Sequence, residues 1–211
     1  MKKERFLAGC VCFLLLCLLL LPAAAAEEGG QVRSIRASDC MKGKNTEGDA
    51  FHILLIGQDQ RPGEPGKRSD SLILCSILPR EKKMILTSFL RDLYVKIPGY
   101  GYERINAAYA IGGADLLDKT LAENFGIHVD GNIEVDFEHF PRIIDELGGV
   151  RLELRADEAR EISRLSDPVE EGMQRLNGAQ ALVYARIRRL DADSDFSRTL
   201  RQRKLLTALT E

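Results

Sequence analysis

Two apolar runs separated by four polar residues constrain the fold of this 211-residue chain more than any other feature. The runs span residues 71–78 and 83–90, and the link between them reads PREK. Runs of strand length joined by so short a polar link predict an antiparallel β-hairpin. A third apolar run at 51–56 stops at Gly57 and predicts a buried strand ahead of the hairpin.

Helical spacing follows the hairpin, and strands and helices then alternate along the chain. Residues 104–125 place apolar side chains at helical intervals, Gly112-Gly113 is a candidate break, and Gly126 predicts the end of the helix. Together, a hairpin and a β-α-β step predict an α/β (α+β) three-layer sandwich in which helices flank a mixed central sheet. The remaining predicted elements are strands at 131–137 and 150–154 and helices at 138–147, 177–189 and 197–211.

The first 26 residues predict export of the remainder. A basic start, MKKERF, precedes an uncharged stretch at 7–26, which is long enough to cross a bilayer as a helix of about 30 Å. A cleaved signal peptide is the alternative, because Pro22 interrupts the apolar core and a small-residue site follows at 24–26. We expect a single-pass signal anchor at 1–26, or a secreted form. An extracytoplasmic linker at 27–48 and one folded domain at 49–211 follow it.

Composition narrows the class of protein. A net charge of -2, the absence of Trp and an aromatic content of 6% argue against a nucleic-acid-binding surface. Three scattered histidines provide no zinc pattern. A disulfide between Cys40 and Cys75 is open, although the strand-like alternation around Cys75 favours a buried apolar side chain.

A dense arginine cluster occupies residues 186–204. Guanidinium groups grip phosphate through paired donors, so such a cluster in a chain of nearly balanced charge indicates a local anion site. The alternative is a solvated face whose arginines pair with Asp191, Asp193 and Asp195. Helical spacing groups the cluster into two faces that could converge on a pyrophosphate: Arg186 with Arg189, and Arg198 with Arg201 and Gln202.

Two aspartates flank the loop between the first two predicted strands. Asp59 follows the first strand and Asp70 precedes the second, so both lie at one sheet edge if these strands are neighbours. Hard carboxylate oxygens beside arginines suit Mg²⁺ shared with a phosphate, whereas capping of a turn and of a strand entry is the alternative. Arg91-Asp92, just after the hairpin, belongs to such a site or is a scaffold ion pair.

Seven motifs follow one another in an order that resembles the LytR-CpsA-Psr (LCP) family of cell-envelope proteins. The resemblance extends from about residue 51 to residue 209, nearly the whole exported domain. The motifs are GQDQR at 57–61, RSDS at 68–71, SFLRD at 88–92, RINAAYAIGG at 104–113, VDFEHFPRIIDELGGV at 135–150, LNGAQALVYARIR at 176–188 and DFSRTLRQRK at 195–204.

The resemblance implies a membrane-anchored phosphotransferase that faces outward. Such a protein moves a glycopolymer, for example wall teichoic acid or capsule, from an undecaprenyl-diphosphate carrier to peptidoglycan. The resemblance also implies Mg²⁺, or Mn²⁺ in its place, between carboxylates and the pyrophosphate, and a prenyl chain in an apolar tunnel. Residues that would line this tunnel, or equally form an ordinary core, are Leu55, Leu74, Ile111, Phe140 and Ile144.

Residue roles follow from matching the motifs. Asp59 and Asp70 correspond to metal ligands. No motif identifies the general base, for which a carboxylate such as Asp70 or Asp92 is a candidate. The catalytic set is Arg91, Arg186 and Asp70, and the substrate-binding set is Arg68, Arg91, Arg186, Arg188, Arg198, Arg201 and Gln202.

Two departures from the family pattern bear on these expectations. Phe89-Leu90 and Leu93 replace the residues that family members carry around Arg91-Asp92, which we interpret as a packing change. The chain ends at Glu211, before the further strands and helix of its relatives, so we expect the C-terminal part of the catalytic domain to be missing. The alternative function is a non-catalytic, membrane-tethered module that binds polyprenyl phosphates in envelope assembly or regulation.

Overall fold

The computed structural model describes residues 50–59, 68–191 and 194–210, which fall into two compact units that divide between Asp136 and Phe137. Both the anchor predicted at 1–26 and the linker predicted at 27–48 lie outside the described residues. Within the described ranges, no helix combines the length and the apolar character that crossing a membrane requires.

The first unit is built on a four-stranded mixed sheet. Its strand order is β3-β2-β1-β6, with β1 antiparallel to β2 and parallel to β6. This arrangement confirms the predicted hairpin, the β-α-β step and the mixed central sheet. The elements are β1 (Phe51–Asp59), β2 (Arg68–Leu78), β3 (Lys83–Phe89), β4 (Tyr94–Ile97), β5 (Gly101–Arg104), α1 (Ile105–Phe125) and β6 (Gly131–Asp136).

One face of this sheet packs against α1. Leu54 and Leu74 are cross-strand partners that share a buried cluster with Leu117 of α1. The helix is kinked, because Gly112 and Gly113 have non-helical backbone angles, and it ends at Gly126 in the left-handed region, with φ of 67°. The expected break and end of the helix are therefore confirmed.

Two further expectations for the first unit have different outcomes. Ile111, predicted as a core or tunnel residue, is 45% exposed, so its assignment to the buried core was wrong, and its place in a tunnel stays a prediction. Cys75 is 6% exposed in the sheet, which confirms the buried apolar interpretation.

The second unit joins a two-stranded antiparallel sheet, β7 with β8, to four helices. Its core gathers buried apolar side chains from each of these elements, among them Ile144, Leu152, Ile162 and Leu176. The elements are α2 (His139–Glu146), β7 (Val150–Leu154), α3 (Ala156–Leu165), β8 (Gly172–Leu176), α4 (Gly178–Arg186) and α5 (Ser194–Ala208).

Local sequence explains how α4 begins. The Asn177 side chain accepts a hydrogen bond from the Gln180 backbone amide at 2.9 Å, and the Gln180 side-chain oxygen accepts one from the Asn177 amide, which forms a capping box. A Cβ at Gly178 would lie 2.0 Å from the Pro141 carbonyl oxygen, so only glycine permits this approach of α4 to α2.

The end of α4 differs from the prediction. The helix stops at Arg186, because Ile187 takes extended angles (φ -58°, ψ 127°) and is buried, 4% exposed, in the core of the unit. Arg189 therefore lies beyond the helix, and its predicted pairing with Arg186 on one helical face was wrong. The elements β4, β5, α3 and β8 were not predicted.

Candidate functional site

Asp59 and Asp70 lie at the edge of the first unit's sheet where β1 ends and β2 begins. Asp59 and Arg68 are cross-strand partners at this edge, which confirms that Asp59 and Asp70 reach the same edge. The pairing runs Gly57 with Ser71 and then Gln58 with Ser69, so Asp70 is the extra residue of a β-bulge.

The bulge determines the face of the sheet on which the Asp70 side chain lies. In a regular strand, Asp70 would share a face with Leu72, which is 1% exposed in the core under α1. Instead the core-facing position falls to Ser69, opposite Gln58, whose side chain reaches the buried Tyr109 hydroxyl of α1 at 2.5 Å. The bulge thus keeps a carboxyl side chain out of the core and directs it to the sheet edge.

Four charged side chains form a chain of alternating sign at this edge. Arg91 Nη1 donates to Asp70 Oδ1 at 2.9 Å, and Arg91 Nε donates to Asp92 Oδ2 at 3.3 Å. Arg104 Nη1 donates to the other oxygen of Asp92 at 3.2 Å. The backbone fastens this segment to α1, because the Asn106 amide donates to the Arg91 carbonyl.

The electrostatics of this network keep Asp92 ionised. Partial burial raises the pKa of Asp92, but the hydrogen bond from Arg104 and the charges of Arg91 and Arg104 outweigh it, so the pKa lies below its usual value. Asp92 thus holds both arginines, and Arg91 is oriented from two sides. Arg91 and Asp92 form the expected ion pair, and Arg91 also pairs with the predicted metal ligand Asp70.

The donor set at the edge suits a hard cation. Mg²⁺ is bound through one or two carboxylates, waters and substrate phosphates, and Asp70, whose side chain is 17% exposed, is such a carboxylate at a strand edge. In the ranges that the structure covers, no group of three or more His, Cys, Asp or Glu side chains could hold a metal ion. Asp59 and Asp70 as ligands of Mg²⁺ or Mn²⁺, and Arg68 as a phosphate ligand, stay predictions.

The second unit carries its own arginine cluster. The Arg186 guanidinium lies over the Phe137 ring, 4.4 Å from the ring centroid, a cation–π contact. Arg188 and Arg198 each place Nε 3.9 Å from Asp195 Oδ1, so this carboxylate balances two arginines. Arg198 is only 4% exposed. Two arginines of the cluster thus have the aspartate partner that the alternative interpretation predicted. The phosphate-binding role of Arg186, Arg188 and Arg198 stays a prediction.

Arg201 is 4% exposed, like Arg198, but it differs in the close hydrogen bonds that its guanidinium makes within the unit. Its Nε donates to Glu158 Oε1 at 2.7 Å, its Nη1 donates to the Ile187 carbonyl at 3.3 Å, and its Nη2 donates to Asp191. Gln202 donates to the Ala185 carbonyl at 3.3 Å. This geometry favours a structural role for Arg201, and its predicted contact with substrate stays a prediction.

A buried polar cluster in the first unit was missed by the sequence analysis. Tyr109 donates to Glu134 Oε2 at 2.6 Å, and burial and this carboxylate raise the tyrosine pKa. Nearby, Asn132 donates to Asp118 Oδ2 at 2.7 Å, and burial raises the pKa of Asp118 to about 6. These hydrogen bonds join α1 to β6 across 14 and 25 residues of sequence, and no local sequence signal indicates them.

Known protein families and solved structures include relatives of this chain. The chain matches the LytR_cpsA_psr family over residues 21–211. It belongs to the LytR-CpsA-Psr family. LCP proteins similar to it include polyisoprenyl-teichoic acid–peptidoglycan teichoic acid transferase TagU of Oceanobacillus iheyensis, 40% identical over 77% of this chain and 51% of TagU. Regulatory protein MsrR of Staphylococcus aureus is 40% identical over 74% of this chain and 47% of MsrR.

Solved LCP structures share the fold. TagT with bound octaprenyl pyrophosphate lipid is 35% identical, with a TM-score of 0.66 over 76% of this chain and 63% of that one. TagT bound to LI-WTA is 34% identical, with a TM-score of 0.69 over 89% of this chain and 71% of that one. The chain spans about half the length of the curated relatives that it matches.

Proposed function

We propose that this protein is an extracytoplasmic phosphotransferase that moves a glycopolymer from an undecaprenyl-diphosphate carrier to peptidoglycan. The names of TagU and of the lipid-bound TagT structure support the class of reaction and the polyprenyl diphosphate. Residues 1–26 would hold the domain outside the cytoplasm, anchored to the membrane. The non-catalytic polyprenyl-phosphate-binding module is the outcome that the experiment below must exclude.

The observation that carries the proposal is the linked network at the edge of the first unit's sheet. Asp70 and Asp92 hold Arg91 from two sides, at 2.9 and 3.3 Å, before any substrate arrives. A preoriented guanidinium stabilises charge that develops on phosphate oxygens without reorganising during the reaction. Arg91 is therefore the residue that we assign to the diphosphate, and Asp70 is a positioning group for it.

The proposed reaction exchanges one phosphorus–oxygen bond for another. A hydroxyl oxygen of peptidoglycan forms a bond to the phosphorus that carries the polymer. The bond from that phosphorus to the bridging oxygen breaks, and the lipid monophosphate leaves with that oxygen. The hydroxyl proton passes to a carboxylate, for which Asp92 is the candidate that is not assigned to the metal. Bound at Asp59 and Asp70, Mg²⁺ would supply charge neutralisation for the leaving phosphate.

Transfer in vitro tests the proposal. Purified protein would be incubated with a lipid-linked teichoic acid precursor, peptidoglycan and Mg²⁺, with chelator in a parallel reaction. We expect Arg91→Ala to reduce transfer by about 10²–10³-fold, which is the usual effect of removing one preorganised donor. Arg80→Ala, an exposed arginine in the turn between β2 and β3, is the matched control and should transfer normally.

Two outcomes would contradict the proposal. Binding of the lipid-linked precursor by the wild-type chain without transfer or diphosphate cleavage would favour the non-catalytic module. Full activity of folded Arg91→Ala would remove the assigned role of the network. Arg186→Ala tests the second unit separately, and we expect loss of transfer with an unchanged melting temperature.

A further inference from the structure

The β4–β5 hairpin is a rigidly mounted element of the first unit. The inward side chains of Val95 and Ile97 are 3% and 0% exposed in the core. Asn124 of α1 accepts a hydrogen bond from the Lys96 amide at 3.0 Å and donates one to the Lys96 carbonyl at 2.8 Å. The hairpin is thus held to the helix both through its core side and through its backbone.

Its opposite face carries two tyrosines. The register pairs Tyr94 with Arg104 and Lys96 with Tyr102, so these four side chains share the outer face. Tyr94 and Tyr102 are 67% and 65% exposed, and their rings stack with centroids 6.0 Å apart and planes 22° apart. A stacked and exposed aromatic pair adds little to the core, and exposed apolar patches on soluble domains often mark a binding surface.

The charges around the rings are already balanced. Lys96 Nζ lies 2.9 Å from Glu123, and Arg104 lies 3.2 Å from Asp92. A surface for anionic lipid would present unbalanced cations. Aromatic rings framed by polar groups of both signs fit a polyhydroxylated ligand instead, because the apolar face of a sugar ring stacks on tyrosine while its hydroxyl groups hydrogen-bond to the frame.

We propose that the outer face of the β4–β5 hairpin binds the sugar rings of a glycan, with Tyr94 and Tyr102 as the stacking platform. The face is continuous with the candidate site, because Arg104 bonds to Asp92 and Asp92 bonds to Arg91. This inference rests on the proposed function for the origin of the glycan, which we assign to the acceptor peptidoglycan. A donor polymer linked through phosphates would, like an anionic lipid, require unbalanced cations, and Lys96 and Arg104 are already paired.

Intrinsic fluorescence provides a direct test. The chain has five tyrosines and no Trp, so tyrosine emission is not masked by tryptophan. The full chain, in a detergent without a sugar headgroup, would be titrated separately with peptidoglycan glycan strands, with lipid-free glycopolymer and with anionic phospholipid vesicles. We expect the peptidoglycan glycan strands to change the emission, and the glycopolymer and the vesicles to leave it unchanged.

Variants locate the effect. We expect Tyr94→Ala and Tyr102→Ala to weaken glycan binding at least tenfold by calorimetry, and Tyr94→Phe with Tyr102→Phe to retain it, since phenyl rings still stack. Tyr100→Ala is the matched control, because Tyr100 is 63% exposed in the turn of the same hairpin but outside the stacked pair.

Three results would overturn the inference: unchanged binding of glycan strands by folded Tyr94→Ala/Tyr102→Ala, a response of the pair to the glycopolymer or the vesicles but not to the strands, or no response to any of the three. The measurement requires no lipid carrier, metal or turnover. Absence of transfer by the wild-type chain would therefore refute the proposed function while pair-dependent glycan binding still supported this inference. Normal transfer without glycan binding at the pair would do the reverse.

Discussion

Replacement of Arg201 separates a structural arginine from a substrate ligand. In Arg201→Met, the buried Glu158 carboxylate, 4% exposed, loses its 2.7 Å partner, and the Ile187 carbonyl and Asp191 lose theirs. Removing one member of a buried ion pair costs about 3–5 kcal/mol, because the remaining charge is left without compensation. Each kcal/mol lowers the melting temperature of a domain of 150–250 residues by about 2–4 °C, so we expect a decrease of roughly 6–20 °C.

Thermal and urea unfolding would measure this loss, with Arg203→Met on the same helix as a control that should change stability by less than about 1 kcal/mol. The double variant Arg201→Met/Glu158→Met should recover much of the stability, because no unpaired charge stays buried. An Arg201→Met protein that melts like the wild type but fails to transfer polymer would refute this reasoning and assign Arg201 to the substrate.

Two further predictions concern the first unit. Since the pKa of Asp118 is raised to about 6 from 3.8, the folded protein binds more protons between these values, and its stability falls as pH rises through that window. Asp118→Asn should remove this decline, about 1–2 kcal/mol after discounting for partial exposure, whereas Asp115→Asn should retain most of it, as urea unfolding from pH 4 to 7 would show. In Gly57→Ala, the new Cβ would lie 2.9 Å from Ser71 Cβ, so we expect a loss of about 1–3 kcal/mol that Ser71→Gly relieves. Unchanged unfolding of the single variant would contradict the close fit.

The parts of the fold that sequence predicts well are those with a strong local pattern. Strands β1 to β3 are long apolar runs bounded by polar turns, and α1 ends at Gly126, which supplies the left-handed cap. The hairpin of β4 and β5 was missed because each strand has four residues, and every position of β5 is exposed, so it shows no alternation. Helix α3 is mostly polar and buries only Glu158, Ala159 and Ile162, which is too weak a stripe to recognise.

The candidate site was predicted residue by residue but not as a geometry. Motifs placed Asp70 and Arg91 in one functional set, and the structure joins them at 2.9 Å. The β-bulge that makes this contact possible leaves no mark in the spacing of the strand. Likewise, nothing near Arg201 in the sequence indicates its hydrogen bond to Glu158, 43 residues away, so the buried pair could not be predicted.

The bulge at Asp70 divides β2 into two stretches with opposite alternation of the residues that face α1. Downstream of it, the residues that face α1 are the even-numbered Leu72 and Leu74, whereas upstream the core-facing position is the odd-numbered Ser69. Loss of Ser71 would merge these two stretches, because Asp70 would then directly precede Leu72 in a regular strand, and the bulge that sets the direction of the carboxylate would be lost. The start of β2 therefore encodes the direction of Asp70 through the number of its residues as well as through their identity.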